Sequence, residues 1–506
     1  MNKVAMIGLD ACDIELVYQW SETGHLPNFK KLIDKSATLE LASSCSVLQG
    51  SIWPSLFTAS SPGDHAMYYM LQMDNTTQNV KRVKSHDLKT ATFWHTLPND
   101  KKRLIVDVPK LGLVEQDEHV QVVEWAAMDH YSRFETQPKH IKNDIIKKFG
   151  NHVLTTDLVE PKSNEEFKRL FQDLSTGIQN KAQLNRDLIN TYQPDFFLTV
   201  FGESHTAGHY LWRFHQEALA GKLTQFTTDP VLNIYQELDI AVGDILNDLP
   251  ENQNVMVFSG HGMMEDQYPR WILNDVLERL GVLKSFHSSQ SDQHQTAHTK
   301  QKVSFSSKVK KWIKGIANDF IIPASIQEKL WMKNLQKHVD FTQTKAWVLP
   351  TDLQGFIRIN LEGREPQGIV AKADYDQLVE QITECLYGLK NSETGQPVVD
   401  KVYKIKELYK GCKQTDLLPD ISVLWANKPV KKVSSDIIGE IELSDTGIIR
   451  SGNHRPKGFC FAYGPNIDSS HKDIRANLTD LGPMAMHMLQ HYRLHLNPNT
   501  KAILRD

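Results

Sequence analysis

Short apolar runs recur along the chain, each closed by a polar or glycine-containing turn. They read VAMIGL from Val4, RLIVDV from Arg103, DFFLTVF from Asp195, NVMVFS from Asn254 and ISVLW from Ile421. Apolar residues occupy both alternating faces, which predicts strands covered on both sides. The sequence between them is helix-like. A helix is expected after the first run, and Gly24 and Pro27 then mark a turn into a second helix around Phe29 to Ile33. Near the C-terminus GFCFAYG reads as a further strand. Strands alternating with helices predict an α/β protein with a large, mostly parallel central sheet flanked by helices. Such sheets bind ligands beyond the carboxyl ends of their strands, so the chemistry is expected just after the apolar runs.

One stretch departs from this pattern. Ser285 to Lys302 is rich in Ser, Gln, His and Lys and nearly devoid of large apolar residues, which predicts a flexible surface loop. Behind it, Val309, Trp312, Ile313 and Ile316 fall at i, i+3, i+4 and i+7, with Lys308, Lys310, Lys311 and Lys314 between them. That is a short basic amphipathic helix, either packed on the body as a cap or turned toward an anionic membrane surface or partner. The expected organisation is a single domain over 1–506, with a flexible loop and helical insertion over 285–345.

Composition narrows the function. Lys and Arg number 57 and Asp and Glu 61, a net charge of −4. That balance argues against a dedicated nucleic-acid binder, which would carry a basic excess. The five cysteines, Cys12, Cys45, Cys385, Cys412 and Cys460, form no CxxC pair and suit a reducing compartment. The apolar run before Asp10 is too short for a signal-peptide core, and no stretch reaches the ~20 apolar residues of a membrane span. A soluble, cytoplasmic protein is expected.

Metal-type residues stand at the ends of four of the apolar runs. Asp10 ends the first run. Glu203-Ser-His205-Thr-Ala-Gly-His209 follows FFLTVF, Gly260-His261-Gly-Met263 follows NVMVFS, and Ser451-Gly-Asn-His454 precedes GFCFAYG. Neutral imidazole is the commonest nitrogen ligand for zinc. His205 and His209 are four apart and share one side of a helical turn. With His454 they supply the three protein ligands that a catalytic zinc usually takes. Gln49-Gly-Ser51-Ile-Trp53-Pro-Ser55 is the other notable segment. A helix starting there offers free N–H groups to a phosphate, and Ser51 is either a metal-activated nucleophile or a helix cap.

Taken in order, GLDACD, LPNFKKL, SIWPSLFTASSPGDHAMY, the histidine pair, FSGHGM, LLPDISVLW and SGNHRPKGF resemble the alkaline phosphatase superfamily, in its type I phosphodiesterase/nucleotide pyrophosphatase branch. The resemblance covers most of the chain. It implies an alkaline phosphatase-like sheet with two divalent metals at its strand ends, and ester cleavage by a metal-activated Thr or Ser. By position, Asp10, His209, His261 and His454 match family metal ligands, and Ser51 lies in the nucleophile segment. The chain departs from the family at three places. His205 and Gly260 stand where Asp is usual, and the commonest spacing back from Trp53 puts Gln49 at the nucleophile position.

The residues and the resemblance together lead to a metal-dependent hydrolase or group-transferase acting on a phosphorus ester, a phosphodiester or phosphomonoester that is small, nucleotide-linked or glycan-linked. The cofactor is a divalent metal, zinc by its ligand types, one or two per chain. In a two-metal version Ser51 attacks. In a one-zinc version built on His205, His209 and His454, water attacks and Glu203 or Asp10 serves as general base. Two alternatives stand beside this: hydrolysis of an amide, sulfate or carboxyl ester, and a catalytically silent relative that binds an anion or a partner.

Overall fold

A computed structural model describes residues 3–114, 119–126, 133–152, 161–267, 269, 272–286, 339–351, 353–443, 450–489 and 497–504. Its centre is a nine-stranded sheet. From edge to edge the strands are Ile474–Asn477, Ala37–Ala42, Gly458–Tyr463, Asn254–Ser259, Val4–Leu9, Phe196–Phe201, Arg103–Val106, Val120–Val123 and Glu135–Gln137. The inner strands pair in parallel, Val4–Leu9 with both Phe196–Phe201 and Asn254–Ser259. Gly458–Tyr463 is the antiparallel exception within, flanked by Asn254–Ser259 and Ala37–Ala42.

The two-residue period of a strand explains the layers. Ala5, Ile7 and Leu9 point to one face, where Ile14–Glu22, Asn164–Tyr192, Glu203–Leu219 and Pro230–Asp248 cover them. Val4 and Met6 point to the other, under Ile52–Thr58 and Leu481–Met488. A strand buried on both faces needs apolar residues at every position, which is the pattern in the sequence.

One expectation needs correcting. ISVLW is a strand, Ile421–Trp425, but it lies outside the parallel sheet. It joins Ala346–Leu349, Gly355–Ile359 and Val399–Lys404 in a separate antiparallel sheet with its own apolar core. A short buried run looks alike in either sheet, so its periodicity could not say which one it enters. The second sheet bears on the first through the segment before Gln49: Gln354 Nε2 donates to the Cys45 carbonyl at 2.6 Å, and Ser422 Oγ to the Val47 carbonyl at 2.5 Å.

Of the loop expected over Ser285 to Lys302, only Ser285 and Phe286 are described, and the basic helix from Lys308 to Ile316 lies outside the described residues. Ser285 faces Val339 in an isolated antiparallel bridge. Among the described residues, no helix is long and apolar enough to cross a membrane.

Candidate metal centre

Three neighbouring strands end together, and each hands on a polar residue. Asp10 directly follows Val4–Leu9. Phe196–Phe201 passes through Gly202 straight into the Glu203–Leu219 helix, whose first turns carry His205 and His209. Ser204 Oγ donates to the Asp10 carbonyl at 2.6 Å, fastening the start of that helix to the adjacent strand end. Asn254–Ser259 leads to Gly260 and His261, where Ser259 Oγ donates to the His261 carbonyl at 2.7 Å. His454 arrives on Gly452–Arg455, which runs antiparallel to Gly262–Glu265 with His454 opposite Met263.

This convergence depends on two glycines inside the histidine motifs. A Cβ on Gly452 would lie 2.0 Å from the Gly208 carbonyl oxygen, and one on Gly208 would lie 2.5 Å from Met263 Cγ. Only bare backbone lets the strand carrying His454 come this close to the helix carrying His205 and His209.

The ligand-type nitrogens of His205, His209 and His454 all lie within 4.8 Å of one another. His205 Nε2 is 2.8 Å from His454 Nε2 and 3.1 Å from His209 Nε2. His209 Nδ1 lies 2.8 Å from the Gly452 carbonyl. A carbonyl only accepts, so Nδ1 carries the proton and Nε2 presents a lone pair. Both contacts run through His205 Nε2, so a single proton there or on His454 Nε2 cannot give each contact a linear hydrogen bond of its own. His454 Nδ1 is buried without a hydrogen-bond partner among the described residues. A cation between the three rings removes this conflict, and the carbonyl behind His209 is the support that metal-bound histidines typically have. The donor set fits a divalent metal of the zinc type.

The electrostatics keep two of these rings, His205 and His454, in their ligand form. Burial, reinforced by the charges of Arg450 and Lys110, pushes His205 down to about 3. Burial first, then the neighbouring imidazoles and Arg450, holds His454 well below the ordinary histidine value. Neutral imidazole is the species that binds a metal.

His261 and Asp10 adjoin the trio. The His261 ring centroid lies 4.3 Å from that of His454 and 6.2 Å from that of His205. His261 Nε2 is 3.9 Å from Asp10 Oδ1, the same oxygen that accepts the Trp53 indole N–H at 2.9 Å.

The other two residues singled out in the sequence are engaged by partners outside the trio. Ser51 is fully buried at the start of Ile52–Thr58, where it makes no cap hydrogen bond. Its Oγ donates to the Leu48 carbonyl at 2.5 Å and lies 2.6 Å from Ser44 Oγ. Glu203 is two residues before His205 on one helix, about 200° around its axis. Its carboxylate lies in the opposite direction, 3.2 Å from His152 Nε2 and fully buried. Burial works against its charge, but His152 and Lys181 hold its pKa below the usual carboxylate range.

Sequence reasoning missed Trp53 as a partner of Asp10, and it missed Lys110 and Arg450 as charges beside the rings. Lys110 Nζ also donates to the Gly50 carbonyl at 2.7 Å, next to Gln49. Lys110 follows the RLIVDV strand, so the strand-end rule applied there would have found it.

Comparison with known families matches residues 4–428 to "Type I phosphodiesterase / nucleotide pyrophosphatase". A search of curated proteins finds no match. Among solved structures, phosphonoacetate hydrolase from Sinorhizobium meliloti 1021 in complex with phosphonoformate aligns with a TM-score of 0.52 at 12% identity, over 97% of this chain and 96% of that one. Murine ectonucleotide pyrophosphatase/phosphodiesterase 5 aligns with a TM-score of 0.48 at 12% identity, over 99% of this chain and 100% of that one. At that identity the likeness to the phosphonoacetate hydrolase shows a common fold.

Proposed function

Because the chain belongs to the type I phosphodiesterase/nucleotide pyrophosphatase family, and is thus a phosphorus-ester hydrolase of the alkaline phosphatase superfamily, we propose that its activity depends on a divalent metal held by His205, His209 and His454. The observation that carries the proposal is the facing of three imidazole nitrogens whose protons cannot give each contact a linear hydrogen bond. The metal of choice is zinc, and the substrate a phosphomonoester or phosphodiester, small or glycan-linked. A zinc ion there would supply Lewis-acid polarisation of a phosphoryl oxygen and acidify a water.

The chain's own residues supply the rest. The Gly452 carbonyl fixes the tautomer of His209. Lys110 and Arg450 bias the cleft toward an anionic substrate. The Ser51 hydroxyl is engaged by Leu48 and Ser44, so we assign the attack to water. Glu203 is paired with His152, so we assign the proton to Asp10. The five cysteines are all free thiols, which supports a cytoplasmic setting.

A second reading, a silent relative that binds an anion, draws on the Trp53 hydrogen bond that engages Asp10. One experiment separates the two. Metal is removed with a chelator, zinc is restored, and turnover is followed on a panel of phosphomonoesters, phosphodiesters, sulfate esters and carboxyl esters. Zinc-dependent turnover of a phosphorus ester is expected. Turnover that survives metal removal overturns the metal role, and a metal-loaded protein inert on every ester favours the silent relative.

A further inference from the structure

The two-metal arrangement implied by the resemblance needs a second cation position beside the trio, served by Asp10, His261, the residue at 260 and the nucleophile position. We infer that this position is closed, and that the chain binds one divalent ion per molecule, at His205, His209 and His454. The inference rests on the metal-binding reading of the trio.

Position 260 is where the closure is built. A Cβ on Gly260 would lie 2.7 Å from Ile52 Cγ2 and 3.1 Å from Leu478 Cδ2. A carboxylate would have to extend further into the same space. Ile52 opens the Ile52–Thr58 helix, and a β-branched side chain in a helix has essentially one χ1 rotamer. Leu478 is 2% exposed and locked into the core under the sheet. Behind Gly260 the backbone is also confined, because a Cβ on Gly458 would lie 2.9 Å from the Gly260 carbonyl carbon. Hydrocarbon therefore occupies the volume a ligand carboxylate would need.

The residues that remain are too few. Asp10 and His261 stand 3.9 Å apart, a gap that an ion could bridge. Trp53 points its indole N–H at the Asp10 oxygen facing that gap, and an indole can donate but cannot ligate. Gln49 is buried and its Oε1 has no hydrogen-bond partner among the described residues. A neutral amide oxygen there would not replace the missing negative charge. One carboxylate and one imidazole fall short of the three protein ligands of a catalytic zinc and of the oxygen-rich shell a hard cation takes.

The test is a count of metal on the full chain. Metal-free protein is saturated with Zn²⁺, passed through a weak chelator to remove surface-bound ions, and assayed for metal by elemental analysis. One ion per chain is expected. Two per chain overturns the inference. None per chain overturns it as well and defeats the trio reading itself, so the two failures are told apart. To place the ion, His209→Ala/His454→Ala and Asp10→Asn/His261→Gln are counted alongside, with thermal melts to confirm folding. The first pair is expected to lose the ion and the second to keep it. The reverse pattern puts the ion at Asp10 and His261 and overturns the inference. Should neither variant fold, the count on the unaltered chain decides.

Discussion

Two of the buried polar clusters among the described residues invite comparison, one on the four-stranded antiparallel sheet and one at the strand ends of the nine-stranded sheet. On the antiparallel sheet, Arg358 donates to Glu365 at 2.8 Å and to the Leu418 and Asp416 carbonyls. Arg364 grips both oxygens of Asp420 at 2.7 Å, and Tyr375 and the Ile359 N–H complete that carboxylate. At the strand ends of the nine-stranded sheet, three imidazoles face one another without a linear hydrogen bond for each of two contacts. Both clusters cost desolvation. The first recovers most of it through fork-shaped ion pairs, with Glu365 Oε2 left without a hydrogen-bond partner among the described residues, and the second has no such ion pairs between its rings. Burial alone does not separate a structural cluster from a working one. What differs between these two is pairing of opposite charges, present around Asp420 and missing among the imidazoles.

The largest effect should come from the imidazole cluster. His209→Ala removes the ring whose tautomer is fixed by Gly452, and should lose the ion and on the order of 10³-fold in turnover, about 4 kcal/mol of barrier. Steady-state kinetics with metal analysis checks this, and near-normal turnover would make the imidazole cluster as structural as the ion-paired one. The ion-paired cluster should respond in stability. Asp420→Ala leaves Arg364 with one fewer buried partner and should cost about 3–5 kcal/mol in urea unfolding, with turnover per folded molecule unchanged. The pH window has a defined sign. Burial works against the Asp420 charge, yet the Arg364 and Arg358 guanidiniums hold its pKa below the usual carboxylate range. Its contribution is therefore complete above ~4 and lost as pH falls through the lower folded value.

His65 sharpens the contrast, because it is a buried histidine whose bonds close. Its Nδ1 accepts from the Met67 N–H at 3.1 Å, so Nε2 carries the proton toward Ser55 Oγ at 3.0 Å. Burial pushes it down to about 3. Below ~6.5 the unfolded chain takes up a proton that the folded one refuses, so stability falls as pH falls. Between pH 6.5 and 5 the wild type should lose ~2 kcal/mol more than His65→Gln in parallel urea titrations. Equal losses would mean the ring is already charged in the fold. Ser51→Ala should show the smallest effect, ~1 kcal/mol of stability for one lost hydrogen bond and turnover within about twofold. A loss near 10³-fold would instead make Ser51 the nucleophile and move it into the imidazole cluster.

Much of this could be read from the residues. The inner parallel strands, the helix after Phe201 and the polar strand ends all follow from local periodicity, which a chain states wherever a strand is covered on both faces. Asp10, His205, His209 and His454 were legible because each sits beside such a run. Three things were not. Ile421–Trp425 changes sheet without any change in pattern. The directions taken by Ser51 and Glu203 depend on helix phase and on partners as distant as His152. The meaning of Gly260 is written in Ile52 and Leu478, which meet it only in the folded chain.

The contact between His209 and the Gly452 carbonyl spans 243 positions. Gly458–Tyr463, a few residues further on, is the strand that joins Ala37–Ala42 to Asn254–Ser259. During synthesis, therefore, Ala37–Ala42 lacks both of its neighbouring strands and the histidine pair lacks its third member until the chain has been made past Gly452. A ribosome-bound fragment ending before Gly452 would expose two sheet edges and hold an ion with two of its three rings. The segment from Gly452 to Tyr463 thus acts as a clasp, and a product truncated before it is left with neither a continuous sheet nor a complete trio.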